Sequence, residues 1–212
     1  MATRKDSTIK DRQGMIDGCR ASSLSDNPIQ GLPDVLAKDL SVVFCGINPG
    51  MSSAAVGYHF ASRSNRFWRA LHLSGFTPKQ ILPQNAGSLL DYRCGLTSAV
   101  ERPTVGANDL KRHDFISARP ELEQKIRRYG PRYIAFLGKP ACSAIFDQRE
   151  VCWGKQTMRF GGADVWVLPN PSGLNRAFTL EGLTTAYREL SEVVELQGEY
   201  AERDLSISVV RN

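Results

Sequence analysis

Two short segments of the chain combine polar side chains with the turn-forming residues Gly and Pro. Their sequences are Gly-Ile-Asn-Pro-Gly at 46–50 and Asn-Pro-Ser-Gly-Leu-Asn-Arg at 170–176. The side-chain amide of Asn48, in the first segment, can hold a water molecule by hydrogen bonds but has no proton that titrates near neutral pH. Asn48 could therefore orient water for attack on a bond, although such a segment taken alone is more often a simple turn.

The second segment carries one apolar side chain, Leu174, at the tip of an otherwise polar loop. Proteins that bend a nucleic-acid duplex insert apolar wedges of this kind between base steps. Arg176, two positions later, could hold a phosphate. The segment is thus compatible with DNA binding, and by itself it is also compatible with a surface turn.

The two segments follow apolar, β-branched runs that have the composition of buried strands. Strands are predicted over 41–47, 95–100, 132–137 and 163–168, and helices over 65–73, 84–90, 121–129, 140–146 and 180–196. Strands that alternate with helices predict an α/β domain, a three-layer α/β/α sandwich with a mostly parallel central sheet. Sites in such sheets form at the carboxyl ends of strands, so we expect the loops after Ile47, Leu137 and Leu168 to converge on one cleft.

The composition is that of a single globular domain. The chain has 212 residues, of which 42% are hydrophobic and 23% charged, and its formal net charge of +5 permits a polyanionic partner without proving one. We expect a flexible basic arm over 1–30, the folded domain over 31–197 and a C-terminal tail over 198–212. No apolar run is long enough to span a membrane or serve as a secretory signal, so we expect a monomeric, cytoplasmic protein.

Metal and cofactor chemistry has no support in the sequence. None of the five cysteines lies in C-x-x-C spacing, and the three histidines show no H-x-x-x-H pair. A nucleotide-binding enzyme is also disfavoured, because no Gly-rich phosphate-binding fingerprint follows a predicted strand. We expect neither a metal nor a cofactor.

Gly-Ile-Asn-Pro-Gly after one strand and Asn-Pro-Ser-Gly-Leu after a later one resemble the mismatch-specific uracil-DNA glycosylases, the Mug and thymine-DNA glycosylase branch of the uracil-DNA glycosylase superfamily. The resemblance runs from about Leu40 to about Leu190 and implies a uracil-DNA glycosylase-like fold. Four further stretches match the family: Asn-Arg-Phe-Trp at 65–68, Leu-Leu-Asp-Tyr-Arg-Cys-Gly at 89–95, Arg-Pro-Thr at 102–104 and Trp-Gly-Lys-Gln at 153–156.

The resemblance implies a base-binding pocket. Asn48 matches the family's catalytic Asn, which holds the attacking water. The backbone of Ile47 and Phe60 is expected to bind the base edge, and the Phe60 ring to stack on the base. Asn170 matches a second pocket Asn, and we expect the hydroxyl of Ser53 to disfavour the methyl group of thymine.

The resemblance also implies a DNA-binding loop. Gly173, Leu174 and Asn175 match the loop that fills the vacated base stack and contacts the opposite guanine, and Arg176 matches a residue that braces this loop. Asp91, which precedes a predicted strand in a family-like stretch, is a candidate second catalytic group. A capping or salt-bridge role is the more common one for such an Asp.

The implied function is base-excision repair of double-stranded DNA. The enzyme would flip uracil, and also thymine or ethenocytosine, out of a G·U or G·T type of mismatch and hydrolyse the N-glycosidic bond, which leaves an abasic site. A protein that binds mismatched DNA on the same fold without cleaving it is the alternative. Loss of base release but not of mismatch binding in Asn48→Ala would distinguish the two.

Overall fold

Five strands form one central sheet in the computed structural model, which describes the backbone of residues 31–210 and the side chains of residues 31–195. In chain order the strands are β1 Val42–Gly46, β2 Cys94–Ser98, β3 Tyr133–Leu137, β4 Gly154–Phe160 and β5 Ala163–Leu168. The spatial order is β2-β1-β3-β5-β4, and every neighbouring pair is parallel except β5 and β4. The predicted arm over residues 1–30 lies outside the described residues.

Helices cover both faces of the sheet and complete three layers. They are α1 Met51–Val56, α2 Phe67–Leu73, α3 Arg112–Tyr129, α4 Lys139–Phe146 and α5 Leu180–Val210. Residues of α2 and α5 share one buried apolar cluster with the sheet, and residues of α3 and α4 share the other. The predicted three-layer architecture with a mostly parallel sheet is confirmed.

The inner strands are apolar along their whole length because both of their faces are covered. All five residues of β1 are buried, and its side chains alternate between the two clusters. Val43 and Cys45 pack with the α3–α4 side, whereas Val42 and Phe44 pack with the α2–α5 side. This double burial fixes the position of the turn that follows β1.

Four elements differ from the sequence-based prediction. The edge strand β4 was not predicted, and the loop after Gly50 contains the short helix α1. Helix α3 begins at Arg112 rather than at 121 and contains Pro120. Pro120 is exposed, so a carbonyl left unpaired one turn earlier can bond to water. Helix α5 continues to Val210 instead of ending at 196.

Two 3₁₀ segments complete the described fold, Pro83–Tyr92 before β2 and Ala107–Asp109 before α3. Between residues 31 and 210, no helix is both long and apolar enough to cross a membrane. The carboxyl ends of β1, β3 and β5 lie side by side at one edge of the sheet, because these strands are parallel neighbours.

Candidate active site

A pocket of about 290 Å³ opens at the carboxyl edge of β1, β3 and β5. The loops after Ile47 and Leu168 line it together with Leu137, the last residue of β3. A Cβ on Gly138, which follows Leu137, would lie 3.2 Å from Ile47 and 3.6 Å from Asn170, which confirms that the three loops converge. Five of the predicted site residues line it together with Ile47: Asn48, Ser53, Phe60, Asn170 and Leu174. Its volume is near the lower end of the range for small-molecule sites.

The side-chain amide of Asn48 is anchored through its nitrogen, which leaves its oxygen free. Nδ2 donates one hydrogen bond to the carbonyl oxygen of Arg102 (2.9 Å) and another to Oγ1 of Thr104 (2.7 Å). A carbonyl oxygen can only accept, so this contact fixes which end of the amide is nitrogen. Within residues 31–195, Oδ1 of Asn48 has no hydrogen-bond partner and is available to accept one from a water molecule.

The side-chain amide of Asn170 is instead anchored through its oxygen. Its Oδ1 accepts a hydrogen bond from the backbone N–H of Ser172 (2.9 Å), which identifies Oδ1 because an N–H can only donate. Its Nδ2 has no partner in the described part of the chain. The pocket therefore contains one amide with a free acceptor, on Asn48, and one with a free donor, on Asn170.

Phe60 forms part of the pocket wall in a left-handed backbone conformation (φ 54°). Its ring stacks on Phe67 with centroids 4.2 Å apart. A Cβ on Gly46 would lie 3.4 Å from this ring, an ordinary van der Waals distance, so the ring packs directly over the end of β1. The backbone N–H groups of Ile47 and Phe60 have no hydrogen-bond partner among residues 31–210, so both are free to bind a ligand.

Ser53 and His59 support the segment that carries Phe60. The buried Ser53 Oγ accepts a hydrogen bond from the N–H of Ala61 (3.1 Å). His59 donates from Nε2 to the carbonyl oxygen of Pro33 (2.9 Å), and its own carbonyl accepts from Nε1 of Trp68 (3.2 Å). Burial lowers the pKa of His59 below its ordinary value, so the ring is neutral at pH 7.

Leu174 lies at the rim of the pocket with 79% of its surface exposed. The loop beneath it is tied by internal hydrogen bonds. Nδ2 of Asn175 donates to the carbonyl oxygen of Asn170 (2.9 Å), and the N–H of Leu174 donates to Oγ of Ser172 (3.3 Å). An apolar side chain is thus presented to solvent by a loop whose own polar groups are largely satisfied.

Arg66 braces this loop from the other wall of the pocket. Its backbone N–H donates to the carbonyl oxygen of Pro171 (3.0 Å). Its guanidinium donates to four loop carbonyl oxygens, those of Pro171 (3.3 Å), Ser172 (2.6 Å), Asn175 (2.9 Å) and Phe178. The five donors of a guanidinium lie in a rigid plane, so this one side chain holds several turns of the loop in place.

Gly173 packs closely against the same wall. A Cβ at this position would lie 2.5 Å from Cβ of Ser64 and 2.6 Å from its carbonyl oxygen, so a larger residue would push the loop outward. Arg66 and Gly173 together fix how far Leu174 stands from the pocket. Arg176 is exposed and forms no ion pair within residues 31–195, so it is free to meet a phosphate.

The comparison with protein families agrees with this arrangement. The model of the Uracil DNA glycosylase superfamily matches residues 33–191. The chain belongs to this superfamily. A proposed uracil DNA glycosylase from Methanosarcina acetivorans, solved by solution NMR, is a structural match with a TM-score of 0.53 and 20% sequence identity. The match covers 76% of this chain and 98% of that chain, and at this identity it shows a shared fold.

Asp91 lies outside the pocket of this superfamily domain. It is exposed and belongs to the 3₁₀ segment that precedes β2, whereas Asn48 follows β1. The two strands are parallel, with Val42 opposite Cys94 and Gly46 opposite Ser98, so Asp91 and Asn48 lie at opposite edges of the sheet. A strand of five residues separates these edges by roughly 16 Å. The structure therefore places Asp91 outside the pocket that contains Asn48 and does not bring the two predicted catalytic residues together.

Two residues important for the geometry of this glycosylase-superfamily site were missed. Thr104 and Arg66 lie in stretches that resemble the family, but their partners are an amide 56 positions away and carbonyl oxygens more than 100 positions away. The resemblance to the loop-bracing residue pointed to Arg176, and the structure assigns the bracing contacts to Arg66 instead. Within residues 31–195 no group of three His, Cys, Asp or Glu side chains could hold a metal ion.

Proposed function

We propose that this protein is a mismatch-specific uracil-DNA glycosylase that excises uracil from G·U pairs and acts on thymine or ethenocytosine opposite guanine more slowly. Membership of the superfamily supports an activity on uracil in DNA. The observation that carries the proposal is the Asn48 amide, anchored through Nδ2 with Oδ1 free, in the same pocket as Leu174.

The first step is extrusion of the target nucleotide, since a base stacked in a duplex cannot reach the pocket. Unstacking costs a few kcal/mol and is least expensive at a mispair. Leu174 enters the gap that the base leaves and slows its return. Arg66 and Gly173 keep the Leu174 loop in one position before DNA arrives, so less conformational entropy is lost on binding.

The extruded base lies against Phe60, whose ring is already stacked on Phe67. The free N–H groups of Ile47 and Phe60 donate to the oxygen atoms of the base, and Nδ2 of Asn170 supplies a third donor. The buried Ser53, which also lines the pocket, limits space near the 5-position of a pyrimidine and so favours uracil over thymine.

Hydrolysis separates a sugar with cationic character from a uracil anion. Oδ1 of Asn48 accepts a hydrogen bond from water and directs the water oxygen at the anomeric carbon. The backbone N–H groups stabilise the negative charge that develops on the base. Asn48 cannot take up the proton of the water, so this proton passes to the departing uracil anion or to solvent after the C–O bond forms and the C–N bond breaks. The enzyme therefore depends on leaving-group stabilisation, and we expect slow turnover.

The test is incubation of the folded protein with short duplexes that contain G·U, A·U, G·T or ethenocytosine opposite guanine, and with single-stranded uracil, followed by alkali to cut abasic sites. We expect strand cleavage at G·U first, with A·U much slower. Cleavage of none of these substrates would refute the hydrolase. Tight mismatch binding in the same samples would then identify a binding protein on this fold.

A further inference from the structure

A second cavity, of about 530 Å³, lies beside the base pocket. The two cavities share Ile47, Asn170 and Leu174 as part of their walls. The base pocket extends from this shared wall towards Phe60 and Asn65, whereas the second cavity extends towards Phe115 and Pro140 and towards Trp153 and Phe178. Leu174 therefore stands at the boundary between two recesses.

An aromatic and cationic group forms the outer part of the second cavity. The ring of Trp153 is 42% exposed and meets Phe178 edge to face at 5.3 Å. Nζ of Lys139 lies 4.5 Å from the centroid of the Trp153 ring. Lys139 forms no salt bridge with a carboxylate within residues 31–195, so its charge is not neutralised by a neighbour.

The exposure of Trp153 distinguishes it from the other tryptophans. The chain has three, and Trp68 and Trp166 are each only 5% exposed because they pack in the core. A large exposed ring beside a cation that has no carboxylate partner suits the stacking of a nucleobase and the binding of its phosphate.

We propose that Lys139, Trp153 and Phe178 form a second DNA site, which binds the strand opposite the lesion. Trp153 contacts the nucleotide that faced the extruded base, and Lys139 binds the adjacent phosphate. The inference rests on the proposed function. If Leu174 fills the gap in the stack and the extruded base enters the pocket on one side, the nucleotide left behind faces the cavity on the other side.

The second site makes Trp153 a specificity-determining residue. Stacking on an aromatic side chain is sequence-tolerant and strengthens DNA binding on the order of tenfold per base. A purine that remains opposite the lesion offers Trp153 a large surface, whereas an abasic spacer offers none. Loss of the Trp153 ring should therefore slow excision more when a base is present in the opposite strand than when the opposite position is empty.

The experiment compares single-turnover excision of uracil opposite guanine with excision of uracil opposite a tetrahydrofuran spacer. We expect Trp153→Ala to lower the ratio of the first rate to the second by about tenfold relative to the wild type, and Trp153→Phe to keep most of the wild-type ratio. General damage to the fold would lower both rates and leave the ratio unchanged. A ratio in Trp153→Ala equal to that of the wild type would overturn the second site.

A wild-type protein that cuts neither substrate would refute the proposed function instead, so failure of the second site and failure of the proposed function are distinguishable.

Lys139 is tested by the salt dependence of duplex binding. Loss of one phosphate contact lowers the slope of log affinity against log salt by about one in Lys139→Gln. Lys155→Gln is the matched control, because Lys155 is exposed nearby but lies 3.9 Å from Asp164. Equal slopes for the wild type and Lys139→Gln would exclude the phosphate contact.

Discussion

Oγ1 of Thr104 lies 2.7 Å from Nδ2 of Asn48 and accepts its hydrogen bond, while the Thr104 hydroxyl donates to the carbonyl oxygen of Gly106 (2.8 Å). The direction of this short chain is fixed at both ends by carbonyl oxygens, because Asn48 also donates to Arg102. It leaves the Asn48 side chain with a free acceptor and no free donor. The geometry that would hold water therefore depends on a residue outside the Gly-Ile-Asn-Pro-Gly turn.

Replacement of Thr104 by Val should loosen Asn48 without changing the shape of the pocket. The variant loses both hydrogen bonds of the Thr104 hydroxyl, and loss of the one to Asn48, worth about 1 kcal/mol, corresponds to roughly a fivefold fall in the rate of base release. Single-turnover excision of uracil from a G·U duplex measures the rate. Thr104→Ser, which keeps the hydroxyl, is the control and should stay near the wild type. An unchanged rate in Thr104→Val would show that Asn48 does not need this anchor.

Leu174→Ala should separate duplex opening from chemistry. Leu174 is 79% exposed, so its truncation should change the free energy of unfolding by less than about 0.5 kcal/mol. We expect excision from duplex DNA to fall on the order of tenfold, while uracil in a single-stranded oligonucleotide is released at the wild-type rate. Leu82→Ala is the matched control, since Leu82 is also exposed but lies in the 3₁₀ region before β2. Equal losses of excision rate on duplex and single-stranded DNA would show that Leu174 does not act by filling the gap left by the extruded base.

Arg66→Lys should move the Leu174 loop. A lysine keeps the charge but cannot reach four carbonyl oxygens in one plane, and each buried carbonyl left unpaired costs about 1–3 kcal/mol. We expect lower stability in urea denaturation and a loss of duplex excision that exceeds the loss on single-stranded uracil. Arg176→Lys is the comparison, because Arg176 has no such contacts. Similar behaviour of the two variants would mean that Arg66 does not brace the loop.

The pH dependence should separate stability from catalysis. Burial lowers the pKa of His59 from its ordinary value of 6.5, so the folded state disfavours the charged ring. The contribution of the neutral His59 ring to the free energy of unfolding is then fully present above about pH 6.5. It falls as the pH drops towards the folded-state pKa, because the unfolded chain takes up the proton first. His59→Gln should flatten the fall of the melting temperature between pH 7 and pH 5. An equally steep fall in His59→Gln would assign it to another group.

The rate of base release should not follow this fall above pH 6.5. Among the described pocket residues His59 is the only one with an ionisable side chain, and because its pKa is lowered it is neutral above pH 6.5. We therefore expect a flat rate profile from pH 6.5 to pH 9 in single-turnover excision. A rate that rises with pH across this range would indicate a general base that the pocket does not explain.

Sequence patterns predicted the inner strands of the sheet well, because double burial leaves continuous apolar runs such as Val42–Gly46 and Tyr133–Leu137. The edge strand Gly154–Phe160 was missed because polar residues fill it, and only alternate positions are partly buried. The convergence of the three loops followed from parallel strand order, which the alternation of strands and helices predicts.

The position of Asp91 and the role of Arg66 show where sequence reasoning failed. A residue just before a parallel strand lies at the amino edge of the sheet, and this rule would have excluded Asp91 from a site at the carboxyl edge. Arg66 acts through backbone carbonyl oxygens, which carry no side-chain signature in the sequence. Only the folded chain shows which loop its guanidinium reaches.

Asn48→Ala removes the amide that we propose holds the attacking water. Single-turnover excision and equilibrium binding are measured on the same G·U duplex, with Asp91→Asn as the control at the opposite edge of the sheet. We predict that Asn48→Ala lowers the excision rate on the order of 10²-fold or more, binds the duplex within about threefold of the wild type, and that Asp91→Asn changes neither quantity. Excision by Asn48→Ala at the wild-type rate would show that hydrolysis does not need the Asn48 amide.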